Sequence, residues 1–352
     1  MEIRWRLQED PYGQAVDWQT LGHGDMPSTR GDVMKRAIGF AAGLLMMSLT
    51  AQGSASADEP LGAPMVATTF GLGAGPMPDV ATDSSTHRAH VTSQGDDSLY
   101  VADSTSRVAT IKVGPAPGFV AVDPTTQTAY VTSGNSVSVV DIATGSTTGT
   151  IPVGNAPEGI KIDTSTRKAF VANSADDTVS VIDTGSQTVT GTIKVGSRPG
   201  KMGVDPTSHL LYVSERGRAA ISIVDPAKSV IVQTIPVRRN PNDVALDPPT
   251  RTTHVPNTDD GSVSVLNLDS RSVTQTIPVG ARPSAATVDS DAHTVYVTNN
   301  GAGTVSIIDS QKRAVTDTVE VRDGPQTVAA DPSTHTAWVV NYADNSISVI
   351  ER

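Results

Sequence analysis

The chain contains no cysteine in 352 residues, and aromatic residues make up only 4% of it. Without cysteine there is no disulfide framework and no thiol for lipid attachment. The C-x-x-C-H signature of covalently attached haem is excluded as well. Two of the three tryptophans, Trp5 and Trp18, fall in the first 33 residues, which leaves Trp338 alone for the rest of the chain. Aromatic platforms for bases or sugars are therefore not expected. No G-x-S-x-G elbow, H-E-x-x-H pair or phosphate-cradling glycine loop is present. The net charge of −11 argues against a nucleic-acid partner, because neutralising phosphates requires clustered Lys and Arg.

Long apolar runs are also scarce. The one near the N-terminus covers Ala37 to Leu49, follows Met34-Lys35-Arg36 and precedes Ala55-Ser56-Ala57. A basic start, a short apolar stretch and an A-x-A end are the parts of a secretory signal peptide. The run is shorter than the roughly 20 residues of a membrane span. Residues 34–57 are thus expected to be a Sec-type leader, with Met34 as the initiator and residues 1–33 as a non-native or disordered extension. A short linker, 58–63, follows, and the mature chain is expected to lack a membrane span.

From residue 64 onward the sequence repeats. Asp, usually followed by Pro, recurs at Asp83, Asp123, Asp163, Asp205, Asp247, Asp289 and Asp331, at intervals of 40 or 42. Seven residues after each stands an aromatic or His followed by Val: His90, Tyr130, Phe170, Tyr212, His254, Tyr296 and Trp338. Each unit then ends a V-S-V-I-D-like run, as at Asp183 and Asp309. Four β-branched runs per unit, seven units and a period near 42 predict an all-β, seven-bladed propeller of four-stranded blades over 64–352.

Composition places each run. The first, as in Met202-Gly203-Val204, mixes small and branched residues suited to the crowded axis. The second and third, as in Val179-Ser180-Val181-Ile182, are nearly all apolar, as strands packed on both faces should be. The fourth carries Thr and Lys, as an exposed edge should. The last unit lacks its fourth run, while Thr69-Phe70-Gly71-Leu72 aligns with Thr150-Ile151-Pro152-Val153. The N-terminal strand, about 65–72, should therefore complete the last blade and close the ring.

Tyr296-Val297-Thr298-Asn299, with its variants Tyr130-Val131-Thr132-Ser133 and Phe170-Val171-Ala172-Asn173, resembles the YVTN family of β-propeller repeats. The resemblance covers about 64–352. It implies a secreted or cell-surface protein and brings no catalytic motif. His90, His254, Pro256 and the pair Arg238-Arg239 depart from the pattern, so the fifth blade should be the least regular.

Propeller loops between blades, and between second and third runs, share one face. Arg198, Lys201, Arg238, Arg239, Arg282 and Arg322 fall in four consecutive inter-blade turns there, with Arg216 and Arg218 in a neighbouring loop. Such a cationic arc could hold a carboxylate- or phosphate-bearing envelope polymer, or another surface protein. Glu158, Asn242 and Asp243 form a fallback set for Ca²⁺ or another divalent ion at the channel mouth, although no cofactor is required. His87, His209, His293 and His335 occupy one turn position in four blades and read as surface residues. The paired acids Asp96-Asp97, Asp176-Asp177 and Asp259-Asp260 read as backbone caps. The expectation is a monomeric, exported binding module in which no catalytic constellation is visible, so that binding is favoured over catalysis without the sequence deciding between them. The alternatives are a lactonase-like hydrolase or lyase and a structural surface-layer element.

Overall fold

The computed structural model describes residues 62–73 and 75–352. The expected extension, the leader and most of the linker lie outside the described residues. Within them, 28 strands form seven four-stranded antiparallel sheets, and no helix is present among the described residues. Blades 1 to 6 take their strands in order from 80–112, 117–152, 157–194, 199–236, 245–278 and 283–320. Blade 7 is composite. Its strands run Pro325–Asp331, Thr336–Asn341, Ser346–Glu351 and, outermost, Met65–Gly71. Val66 lies opposite Ile350, and Phe70 opposite Ile347, as the expected closure requires.

The apolar pattern of the middle strands follows from what each face meets. Seven apolar clusters are present, one between each pair of neighbouring blades. In blade 1, Leu99 and Val101 pack towards blade 2, while Tyr100 and Ala102 pack towards blade 7. Successive side chains point to opposite faces, and both faces are interior, so the strand reads as continuously apolar. Trp338 fills the interface between blades 7 and 1. The fourth strands are exposed except for one buried anchor near the end, such as Ile193, Ile235 or Ile277.

Blade 5 has the shortest innermost strand, Ala245–Asp247. Pro256 stands in its second strand, where it has no N–H to donate to the ladder. Only the Asn242 N–H to Pro256 carbonyl bond, at 3.0 Å, and an isolated Pro241–Asn257 bridge continue the pairing.

On the face opposite the inter-blade loops, the repeating Asp fastens the turn in every blade except blade 5. Asp83, Asp123, Asp163 and Asp331 accept the backbone N–H and the hydroxyl of the residue two positions on, for example Ser85 N–H at 2.9 Å. The residue four positions after the Asp has a positive φ in all seven blades, from 50° at Gln127 to 57° at His209. In five of the seven blades that left-handed residue reaches back to the Asp of the preceding blade. His87 Nδ1 lies 2.9 Å from Asp331, His209 Nδ1 2.8 Å from Asp163, and His335 Nδ1 2.9 Å from Asp289. Gln127 does the same to Asp83, and Arg251 binds Asp205 with two nitrogens. These histidines are surface turn residues as expected, yet they also clasp adjacent blades. Burial would push the carboxyls up, but the hydrogen bonds outweigh it and hold Asp83, Asp163, Asp205 and Asp331 below the ordinary value.

One clasp is open. Asp247 and the Nδ1 of His293 are buried without hydrogen-bond partners. Pro249 occupies the position two residues after Asp247, so the usual N–H and hydroxyl donors are both missing.

Candidate ligand-binding cleft

The axis is built from one register position. Asp79, Phe119, Lys201, Ala285 and Thr327 each precede the first-strand residue that pairs with, or directly flanks the pairing of, the second-strand Val. Asp243 holds this place in blade 5, two residues before the strand begins. Of these, Asp79, Phe119, Lys201, Asp243 and Thr327 line one axial cavity, whereas Ala285 packs between blades 6 and 7. Lys201 Nζ donates to Asp79 Oδ1 at 2.8 Å and to Thr327 Oγ1 at 3.0 Å, with Asp243 Oδ2 at 3.8 Å. Its ammonium also stands 5.7 Å from the centre of the Phe119 ring.

The carboxylates extend this hub to further blades. Asp79 Oδ2 accepts the Val120 N–H at 3.1 Å, and Asp243 Oδ2 accepts the Ala286 N–H at 3.4 Å. Burial draws the Lys201 ammonium pKa down, but Asp79 and Asp243 together outweigh that and hold it above the ordinary lysine value. Lys201, expected on the loop face, is thus a half-buried cross-brace below it. A cavity of about 240 Å³ lies along the axis around these residues.

Above the hub, the loops of blades 4 to 6 surround a cleft of about 640 Å³. Arg198, Arg239 and Arg282 line it together with Arg216 and Arg218. The turn geometry brings them there. Arg198 and Arg282 hold the same inter-blade turn position, with φ of 54° and 51°, and Asn240 holds it in blade 5 with 56°. The paired acids fix these turns from beneath: Asp177 accepts the Arg198 N–H at 2.9 Å, and Asp260 accepts the Arg239 N–H at 2.7 Å. Asp176 and Asp97 treat Asn155 and Ala116 alike, so the capping role read from sequence is the one found.

Arg216 forms the floor. It pairs with Glu158, and burial draws its guanidinium below the ordinary value. Arg218 stands 3.6 Å from Glu215, a fully buried carboxylate. Glu215 replaces the Asn that in blades 3, 5, 6 and 7 ties two hydroxyls of the third strand. Gly196 lies directly over it and donates its N–H at 2.8 Å, and a Cβ there would come within 1.9 Å of the carboxylate.

Arg238 and Arg322 are exposed but do not line the cleft. They occupy the place at the end of the fourth strand where Gly154, Gly196 and Gly280 sit in other units. In the fallback metal set, Glu158 is engaged by Arg216 and by Ser174 Oγ at 2.9 Å. Asn242 donates to the Ser284 carbonyl at 2.7 Å, and Asp243 faces Lys201. The two acids are thus each turned to a cation supplied by blade 4.

No family model matches the chain, and no curated protein sequence does. Among solved structures, Kuenenia stuttgartiensis hydrazine synthase is similar, with a TM-score of 0.69 at 20% identity over 80% of this chain and 97% of that one. At that identity the likeness concerns the fold.

Proposed function

We propose that the protein is an exported, YVTN-type propeller that binds an anionic polymer of the cell envelope in the arginine cleft. The observation that carries this reading is the gathering of five arginines from adjoining loops into one cleft, in a chain of net charge −11. Guanidinium groups in that arrangement suit planar, two-point recognition of carboxylate or phosphate groups. The leader-like segment at 34–57 and the YVTN resemblance support a location outside the cytoplasmic membrane.

Binding is a sufficient task for such a surface, because the rigid ring fixes where each loop stands while the loops carry the chemistry. Replacing Arg198, Arg239 and Arg282 by Ala should abolish retention of the protein on envelope fractions. Unchanged retention would remove the proposal.

A further inference from the structure

The cleft does not end at the arginines. Arg216, Asn242, Ser284 and Gln326 line both the cleft and an axial well of about 370 Å³, so the two form one continuous depression. The well brings in residues of a different character. Phe119 stands on its wall, and Tyr342, 40% exposed, stands at its mouth. Tyr342 is the first residue after the second strand of blade 7, the place that holds Arg216 in blade 4 and Asn300 in blade 6. One register position thus supplies a cation, an amide and a phenol to the same opening. Asn300 and Gln326 are joined amide to amide at 3.2 Å along the wall.

Acids temper the positive field: Glu215 stands beside Arg218 and Asp260 lies 3.3 Å from Arg239, and two more face the opening itself. Glu158 lies on the well and Asp259 on the cleft. A polymer with a charge on every short repeat would set some of its anions against these carboxylates, whereas one with wider spacing can pass them. The remaining wall of amides and hydroxyls suits neutral hydroxyl groups, and an exposed phenol ring suits an apolar ring face with a wet edge.

We propose that the ligand is an acidic oligosaccharide. Its carboxylates would lie against Arg198, Arg239 and Arg282, and a sugar ring near the chain end would stack on Tyr342. This rests on the arginine-cleft reading and adds the identity of what the anions are attached to. Charge alone would then hold any polyanion, and Tyr342 with the amides would select the sugar.

The test measures binding of the full chain, at one salt concentration, to oligogalacturonate, polyphosphate and oligoglutamate matched in total charge. Oligogalacturonate should bind about tenfold more tightly than either of the others. Tyr342→Ala should remove that advantage while changing polyphosphate binding by less than about twofold, and Tyr342→Phe should preserve it. Equal affinity for all three polyanions, or an oligogalacturonate affinity indifferent to Tyr342→Ala, overturns the sugar assignment and leaves the arginine cleft standing. Absence of binding to every polyanion overturns both.

Discussion

Lys201 Nζ and Asp79 Oδ1 are 2.8 Å apart, though 122 residues separate them and their blades stand on opposite sides of the ring. A half-buried ammonium shared between two buried carboxylates ties together parts of the chain that no single interface joins.

Removing that ammonium should be costly. Lys201→Met leaves Asp79 and Asp243 uncompensated near the axis, and breaking a buried pair from one side typically costs about 3–5 kcal/mol. The urea midpoint should fall with little change in slope. In a background already carrying Asp79→Asn and Asp243→Asn, the same substitution should cost far less. A loss under about 1 kcal/mol in the parent protein would contradict the role given to this hub.

The clasp across the seam predicts an asymmetry between its two partners. His87 is half exposed, whereas Asp331 is buried and also fastens its own turn through Ser333. His87→Ala should therefore cost about 0.5–1 kcal/mol, and Asp331→Ala about 2–3 kcal/mol. Equal losses in chemical denaturation would mean that the turn bonds contribute little.

Blade 5 offers a stabilising change. Pro249→Thr would give Asp247 the backbone donor and hydroxyl that Thr125 gives Asp123. Satisfying a buried carboxylate is worth about 1–3 kcal/mol, and losing the proline's restraint on the unfolded chain gives back about 0.4–1. A net gain of roughly 1 kcal/mol is expected, and a lower melting temperature would refute this account of the open clasp.

Acid should weaken the fold before its carboxylates titrate. His90 and His254 are fully buried, and desolvation lowers each from 6.5 to about 4, against a smaller opposing pull from Asp83 and Asp247 respectively. As pH falls below 6.5, the unfolded chain takes up protons that the folded one refuses, so stability declines between 6.5 and 4. At pH 5 each histidine should account for about 2 kcal/mol relative to pH 8. The double variant His90→Phe, His254→Phe should flatten urea midpoints over this range, and a parent protein with no loss at pH 5 would contradict the neutral assignment.

The blades and their closure were legible because the pattern repeats: every Asp, aromatic and fourth run recurs at the ring's own period. The clasps were less visible. His209, Arg251 and His335 lie 46 residues beyond their partners, one period of 42 plus four, so the signal sat in the spacing and not in either residue alone. Arg198 and Arg282 could be gathered from sequence because they share one turn position. Lys201 could not, because only three residues separate it from Arg198, and local pattern does not say that the loop has already given way to the strand Pro199–Val204. Tyr342 escaped notice for a related reason. It is ordinary by itself and gains meaning only from standing opposite Arg216, a relation set by the ring.

The pairing of Met65–Gly71 with Ser346–Glu351 also governs timing. The strand Met65–Gly71 finds its hydrogen-bonding mate only once Ser346–Glu351 has been made, with Thr69 and Ser348 meeting across 279 residues. Closure is thus the most non-local step available to this chain, and such steps are slow. A nascent chain would hold the strand Met65–Gly71 unpaired until Ser346–Glu351 has been made, open to pairing with other chains in the interval.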